Sequence, residues 1–340
     1  MYSVSAAYRQ KMKDSVQRYR LTGQIIVGAE SFSFTEKNII KKTFTLTNQC
    51  SGNDSVEIGS VYTAELTATI TGIDIPRYNL KGAQITASAW LWTGSQWEEV
   101  PLGVFWIKEA DWTTWGVEIV ANDAMAFLDK DITWDTSYGT PWDLALAACS
   151  ACGVTLGPTK QEMHLMANGA VEFSVYTEND METWRDLIYW VAVTTGTFAT
   201  IDRDGKLQFV YYGSSPVDQI DSMHRFKEAR FSDFKTRYTA VKLTSLVTGK
   251  TNVFALVPND GLTLDLGKNP LLQYGSDQEI EARCRAILEK IQAIDYVPMQ
   301  VSTYGLPVYD LGDAITFSEG AADPTMKSCI TAFDWVYGSE

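Results

Sequence analysis

The sequence predicts a mainly β protein with α+β parts: two small β-barrels, an α+β unit between them, and a helix-containing insert in the second barrel. Three observations predict it. Apolar and polar residues alternate with a period of two through much of residues 23–131. Two helical segments and an Asp-Gly hairpin signal follow over 132–213, and strand patterns then return on either side of one well-capped helix. At 340 residues the chain exceeds the roughly 250 at which single cores stop growing. The expected divisions are 1–131, 132–213 and 214–340, the last holding a second barrel (214–257 and 307–340) around an α/β insert (258–306).

Residues 3–19 read as a short basic amphipathic helix. Tyr8, Met12 and Val16 recur at every fourth position among Arg9, Lys11, Lys13 and Arg18. It serves either as an arm that docks on a neighbouring subunit through Tyr8 and Met12 or as a helix packed on its own barrel. In the first barrel Ala64, Leu66, Ala68 and Ile70 alternate with polar residues, and Ile85, Ala87, Ala89 and Leu91 do the same. Further strands fall at 43–48, 104–108 and 116–120. A set of short strands must cover its edges, and a small barrel does so economically.

Thr140, Pro141 and Trp142 then form an N-cap followed by proline in the first helical turn, and Gly153 ends that helix. A second helix from Asp180 carries Trp184, Leu187, Ile188, Val191 and Ala192 on one face and ends near Gly196. Asp204-Gly205 joins strands at 197–202 and 206–212. Strands at 238–247 and 251–257 precede a helix over 276–291, where Ser276 and Glu279 form a capping box and Ile280, Cys284, Ile287, Leu288 and Ile291 form the buried stripe. Strands at 299–304, 314–317 and 328–336 complete the chain.

Hydrophobic residues make up 45% and charged residues 21%, the balance of a folding globular chain. A net charge of -14 repels phosphate backbones and anionic lipid, which disfavours tight nucleic-acid binding. No stretch approaches the roughly 20 apolar residues of a membrane span, and residues 1–20 lack the apolar core of a secretory signal. Five scattered cysteines suit a reducing compartment better than a disulfide framework.

Catalytic signatures are few. His164 and His224 are the only histidines, and there is no HExxH, GxSxG, Walker A or GxGxxG pattern. Cys149 and Cys152 form a CxxC late in an Ala-rich helix, where small packing residues are expected and the structural reading outweighs redox or zinc chemistry. Asp202, Asp204 and Gly205 lack the remaining ligands of a calcium loop. No cofactor or metal is expected. Seven of the 11 tryptophans fall between Trp90 and Trp134. Trp90, Trp92, Trp97, Trp106, Trp112 and Trp115 interleave with Glu98, Glu99, Glu109, Asp111 and Glu118. Such a set permits a glycan-binding surface or a glycosidase carboxylate pair, but tryptophan is equally enriched where subunits meet. Trp90, Trp92, Trp97, Trp112 and Trp115 are therefore also assembly candidates.

Two segments resemble the tail-hub family of tailed phages and related contractile machines, which includes baseplate hubs and the N-terminal hub regions of tail-associated host-entry proteins. One is Asn53-Asp54-Ser55-Val56-Glu57-Ile58-Gly59-Ser60-Val61, leading into the strand at 63–70. The other is Gly305-Leu306-Pro307-Val308-Tyr309-Asp310-Leu311-Gly312-Asp313-Ala314-Ile315. The order of elements between them is similar as well. In physical terms Gly312 supplies a turn before a strand, and Asp313 can bond backbone donors there; Gly59, Pro307, Gly312 and Asp313 are thus family structural positions. The resemblance implies a non-enzymatic virion protein, assembled in the bacterial cytoplasm and resident in the tail. It implies a homotrimer whose paired barrels form a pseudo-sixfold ring joining the tail tube to the tip. The implied partners are the chain itself, a distal tail or tail-tube protein, a tail-tip or spike protein, and DNA in transit through the ring. The alternative is a glycan-binding receptor module or a wall-degrading tail protein whose catalytic region lies outside this chain.

Overall fold

A computed structural model describes residues 1–52, 56–133, 137–176, 178–222, 224–226, 228–318 and 326–338. Trp134 and Asn53-Asp54-Ser55 lie outside the described residues.

The chain opens with a short helix, α1 (Ala6–Lys11), capped by Ser5, whose Oγ accepts from the Tyr8 amide at 3.1 Å. Tyr8 and Met12 are buried, whereas Val16, the next residue in the pattern, is exposed. The helix is shorter than the expected 3–19 because the chain turns to enter a sheet at Tyr19. A helix of that length is marginal alone, and residues 12–18 turn instead to lead the chain into its pairing with β5 at Tyr19.

The first sheet holds β1 (Tyr19–Val27), β2 (Glu30–Thr35), β3 (Thr45–Gln49), β4 (Glu65–Ile70), β5 (Gln84–Trp92), β6 (Trp97–Trp112) and β7 (Val117–Asn122). Its period-two pattern works as expected. Along β5, Ile85, Ala87, Ala89 and Leu91 turn inward, and Trp90 and Trp92 turn outward. The sequence marks only 104–108 within β6, yet the strand runs for 16 residues. Its first part pairs with β5 and its second with β7. The register shifts at Leu102 and again at Lys108, each an extra residue that bends the strand and lets it serve both halves of a curled sheet. Leu21, Ile25, Phe34, Leu66, Ile85, Phe105 and Ile119 share the core inside that curl; burying each large apolar side chain is worth about 1.5–3 kcal/mol.

The middle of the chain contributes α2 (Pro141–Cys152), α3 (Trp184–Thr195) and a hairpin of β8 (Phe198–Ile201) and β9 (Lys206–Val210). Thr140 and Asp143 cap each other's backbone at the start of α2, and Gly153 ends it in the left-handed conformation at φ 70°. Thr183 and Asp186 form the same box, so α3 begins at Trp184 and not at Asp180. Beyond it lie β10 (Thr236–Thr244), antiparallel to β11 (Thr251–Ala255) and parallel to β12 (Leu262–Asp265), with α4 (Asp277–Ile291) against β10. β13 (Ala314–Phe317) sits between two short strands, Asp218–Ile220 and Lys327–Cys329. Of the strand expected over 299–304, only Met299–Gln300 forms.

The last strand differs most from expectation. Residues 328–336 read as one strand of a second barrel, yet Lys327–Cys329 pairs with β13 while β14 (Ala332–Val336) crosses over and pairs with β3. The reason lies in its apolar side chains: Phe333, Trp335 and Tyr337 pack against the core of the first sheet. That sheet therefore has the order β2-β1-β5-β6-β7-β4-β3-β14. The class is mainly β with helical parts, as predicted. Its ladders end in free edges, and among the described residues none closes into a hydrogen-bonded barrel. The first sheet curls far enough for the Tyr337 hydroxyl to reach the Tyr19 carbonyl at 3.5 Å. A second core spans all three expected segments, joining Tyr8, Val100, Leu144, Leu187, Ile287 and Phe317.

Candidate functional site

The tryptophans between 90 and 115 do not form one surface. Trp90, Trp92 and Trp97 gather at the start of β6 on the outer face of the sheet. Trp90 lies opposite both Arg20 and Glu99 in register, and its Nε1 donates to Thr22 Oγ1 at 2.8 Å. Trp92 tilts against Trp97 at 5.5 Å between ring centroids. The Arg20 guanidinium lies 4.0 Å from the Trp97 ring centroid and that of Arg18 lies 5.8 Å away. Trp106, halfway along β6, meets Phe127 edge-on at 4.9 Å and packs against the second core. Trp112 and Trp115 are at the far end, exposed by 37% and 75%, with Arg77 4.8 Å from the Trp112 ring centroid. At about 3.3 Å per residue, the two ends of β6 are on the order of 45 Å apart.

The interleaved carboxylates divide in the same way. Glu98 accepts from the Ser5 amide at 2.7 Å and its hydroxyl at 2.5 Å, which fixes the start of α1. Asp111 and Glu118 stand directly opposite each other on β6 and β7, both exposed. A large cleft, about 1180 Å³, lies elsewhere, between the first sheet, the β8–β9 hairpin and residues 299–313, and none of these carboxylates or of Trp90, Trp92, Trp97, Trp106, Trp112 and Trp115 lines it. A glycosidase needs its carboxylate pair and stacking platform around one substrate groove; here they are on an open sheet face.

Tyr8 and Met12, the candidate docking residues of the N-terminal arm, are in the core of the chain itself. The arm is also tied down beyond the helix. Lys13 Nζ pairs with Asp218 at 2.7 Å, and the His224 ring meets the Lys13 carbonyl. Burial is the main reason that the Tyr8 hydroxyl pKa lies well above the ordinary value.

The positions singled out by the resemblance are joints. Gly59 is buried at φ +90°, and a Cβ there would stand 2.2 Å from Val193 Cγ2 on α3. Its amide donates to the Thr197 carbonyl at 2.7 Å. Gly312, at φ +84°, would bring a Cβ within 3.0 Å of the Phe198 ring, and its amide donates to the Ile330 carbonyl at 2.8 Å. Asp313 Oδ2 accepts from the Asp310 amide at 2.8 Å, as the turn reading requires, and Oδ1 takes the Met1 ammonium at 2.6 Å. Burial nonetheless raises the Asp313 pKa, outweighing the bond and the ion pair. Pro307 is buried one turn earlier.

Two groups were not signalled by any motif. Arg203, in the β8–β9 hairpin, donates to the Pro101 carbonyl at 2.6 Å, the Tyr309 carbonyl at 3.0 Å and Asp310 Oδ1 at 2.9 Å. Arg18 and Arg20 read only as part of a basic arm, and the i, i+2 spacing of cations entering a strand was their one trace. The cysteines are placed for packing. Burial pushes the Cys149 thiol up to about 12 and raises that of Cys152, so neither is held as a thiolate. Among the described residues no cluster of three or more His, Cys, Asp or Glu side chains could hold a metal ion, and no helix is long and apolar enough to cross a membrane.

No protein-family model matches the sequence, and no curated protein matches it. Solved structures do resemble it. The 43 kDa tail protein of prophage MuSo2 from Shewanella oneidensis superimposes with a TM-score of 0.53 at 11% identity, covering 94% of this chain and 95% of that one. A tail protein from Neisseria meningitidis MC58 gives 0.51 at 11% identity, covering 88% and 86%. The likeness is one of fold and runs nearly end to end: this chain is folded as these phage tail proteins are.

Proposed function

We propose that the chain is a structural, non-catalytic subunit of a virion tail, and that within the tail it is the hub. Three copies form a pseudo-sixfold ring that joins the tail tube to the tip or spike and surrounds the channel through which DNA passes. Assembly takes place in the cytoplasm of the bacterial host. The observation that carries this reading is the end-to-end match to a prophage tail protein, 94% of one chain against 95% of the other. It relates whole architectures and not a shared module. The net charge of -14 suits a subunit past which phosphate must slide without sticking. The burial of Cys149 favours packing over redox chemistry at the CxxC, and the tryptophan-interleaved carboxylates stand away from the cleft, which is lined instead by Asp123, Asp202, Asp204, Asp310, Asp313 and Asp334.

Light scattering on a sizing column over a range of concentrations tests the ring. The expected result is a species of three times the 37.9 kDa chain mass. A chain that stays monomeric at every concentration, and forms no ring on a co-expressed tail-tube protein, would refute the hub.

A further inference from the structure

We infer that the two outer ends of the first sheet are the two halves of one head-to-tail contact, through which a copy of this chain binds the next. The inference rests on the ring reading and names its interface. At the first end Arg18 and Arg20 stack on Trp97, beside Trp92. The chain has 42 acidic residues against 28 basic ones, yet neither arginine makes an ion pair among the described residues. Glu99, opposite Trp90, is the carboxylate nearest in register. A cationic, aromatic surface left unpaired on an acidic protein is complementary to the rest of that protein.

The other end supplies the complement. Asp111 and Glu118 are directly opposed on β6 and β7, an arrangement that is destabilising in an isolated sheet. Both are exposed and neither forms an ion pair among the described residues. Adjacent Glu109 has only Lys108, at 3.6 Å. A cation brought from outside removes the repulsion, and a planar guanidinium can bridge two carboxylates.

The geometry fits a ring. A heterologous contact requires two different patches that do not overlap on one chain. These patches are at opposite ends of β6, and Trp106 between them is covered by Phe127. The first end also offers aromatic area in Trp92 and Trp97, as interface centres commonly do, whereas at the other end Trp112 pairs with buried Val117 and so faces away from Asp111 and Glu118, leaving exposed Trp115 in the adjoining turn.

Charge reversal in the full chain tests the contact. Arg18→Glu with Arg20→Glu, and separately Asp111→Lys with Glu118→Lys, should each raise the dissociation constant of the assembly by at least about tenfold. The fourfold variant carries both reversals and should recover association. All the substituted side chains are exposed, so unchanged thermal midpoints serve as the folding control. Trimers that persist in both double variants would overturn this contact and leave the ring standing. A wild-type chain that never associates, alone or on a co-expressed tail-tube protein, would overturn both. If Arg18→Glu with Arg20→Glu leaves the mass unchanged but abolishes binding to an anionic glycan or an oligonucleotide, the patch belongs to that ligand and not to a second copy.

Discussion

Replacing Gly59 by alanine isolates the approach of the 56–61 loop to α3. Two costs add. At φ +90° an L side chain is strained, worth about 1–2 kcal/mol. The new methyl would also stand 2.2 Å from Val193 Cγ2 and 3.2 Å from the Tyr189 ring, and forcing a methyl into a packed site costs about 1–3 kcal/mol more. Gly82→Ala is the control, since Gly82 has φ +83° but no atom within 4 Å of its Cβ position. It should show the backbone cost alone. Urea unfolding followed by tryptophan fluorescence should therefore place Gly59→Ala below Gly82→Ala by about 1–3 kcal/mol. Adding Val193→Ala to Gly59→Ala should recover part of the loss, because the two changes meet in one space. Equal costs for the two glycine variants, or strict additivity with Val193→Ala, would refute the close approach.

Two further predictions concern titratable groups. Asp123 caps the turn after β7, accepting from the Ala64 amide at 3.1 Å and the Met125 amide at 3.0 Å, but burial outweighs both bonds and pushes its carboxyl up to about 7. With the folded pKa above the unfolded one, its contribution to stability is full below about pH 4 and is lost as pH rises through 7. The difference in urea midpoint between wild type and Asp123→Asn should therefore change across pH 4–7, and a carboxyl titrating near 4 by carbon-13 NMR would refute it. Burial likewise pushes the thiols of Cys50, Cys149 and Cys284 up to about 12 and raises that of Cys329. A thiol reagent at pH 8 should label Cys152 first and the other four only on unfolding, with no zinc retained through dialysis. Rapid native labelling of Cys149, or stoichiometric zinc, would refute the packing role.

Local signals were legible where local chemistry decides. Thr140 with Asp143 and Ser276 with Glu279 cap their helices because side chain and backbone are three residues apart. The inward Ile85, Ala87, Ala89 and Leu91 follow from pleat geometry alone. What the sequence hid depends on distant partners. The turn at 12–18 was read as helix because Tyr8, Met12 and Val16 continue a fourfold pattern to the edge of β1, and what ends the helix early is the chain's entry into its pairing with β5. β14 looks continuous with Lys327–Cys329, but which strands it joins is settled by Trp335 meeting Leu46 across the chain. The tryptophans looked like one surface because their numbers are close; a strand on the order of 45 Å long separates neighbours in sequence as effectively as a domain boundary. Arg203 carried no signal, since its partners at 101, 309 and 310 come from the other two segments.

That arginine and the glycines Gly59 and Gly312 act at the same kind of place. Gly59 brings the first sheet's loop onto α3, Gly312 brings the C-terminal turn onto Phe198 of β8, and Arg203 ties β8–β9 back to Pro101 on β6 and to Tyr309 and Asp310. Each contact joins two of the three expected segments. Apolar packing alone tolerates sliding between such units, whereas a guanidinium shared between two backbone carbonyls and a carboxylate has few alternative partners once moved. β14 adds a hydrogen-bonded constraint, since the C-terminal segment supplies an edge strand to the N-terminal sheet. Each of these joints ties together residues far apart in the sequence. Gly59, Gly312 and Asp313 fall at these joints, and Pro307, Gly312 and Asp313 also line the cleft between the first sheet and the β8–β9 hairpin, so the same residues shape both the joint and the cleft.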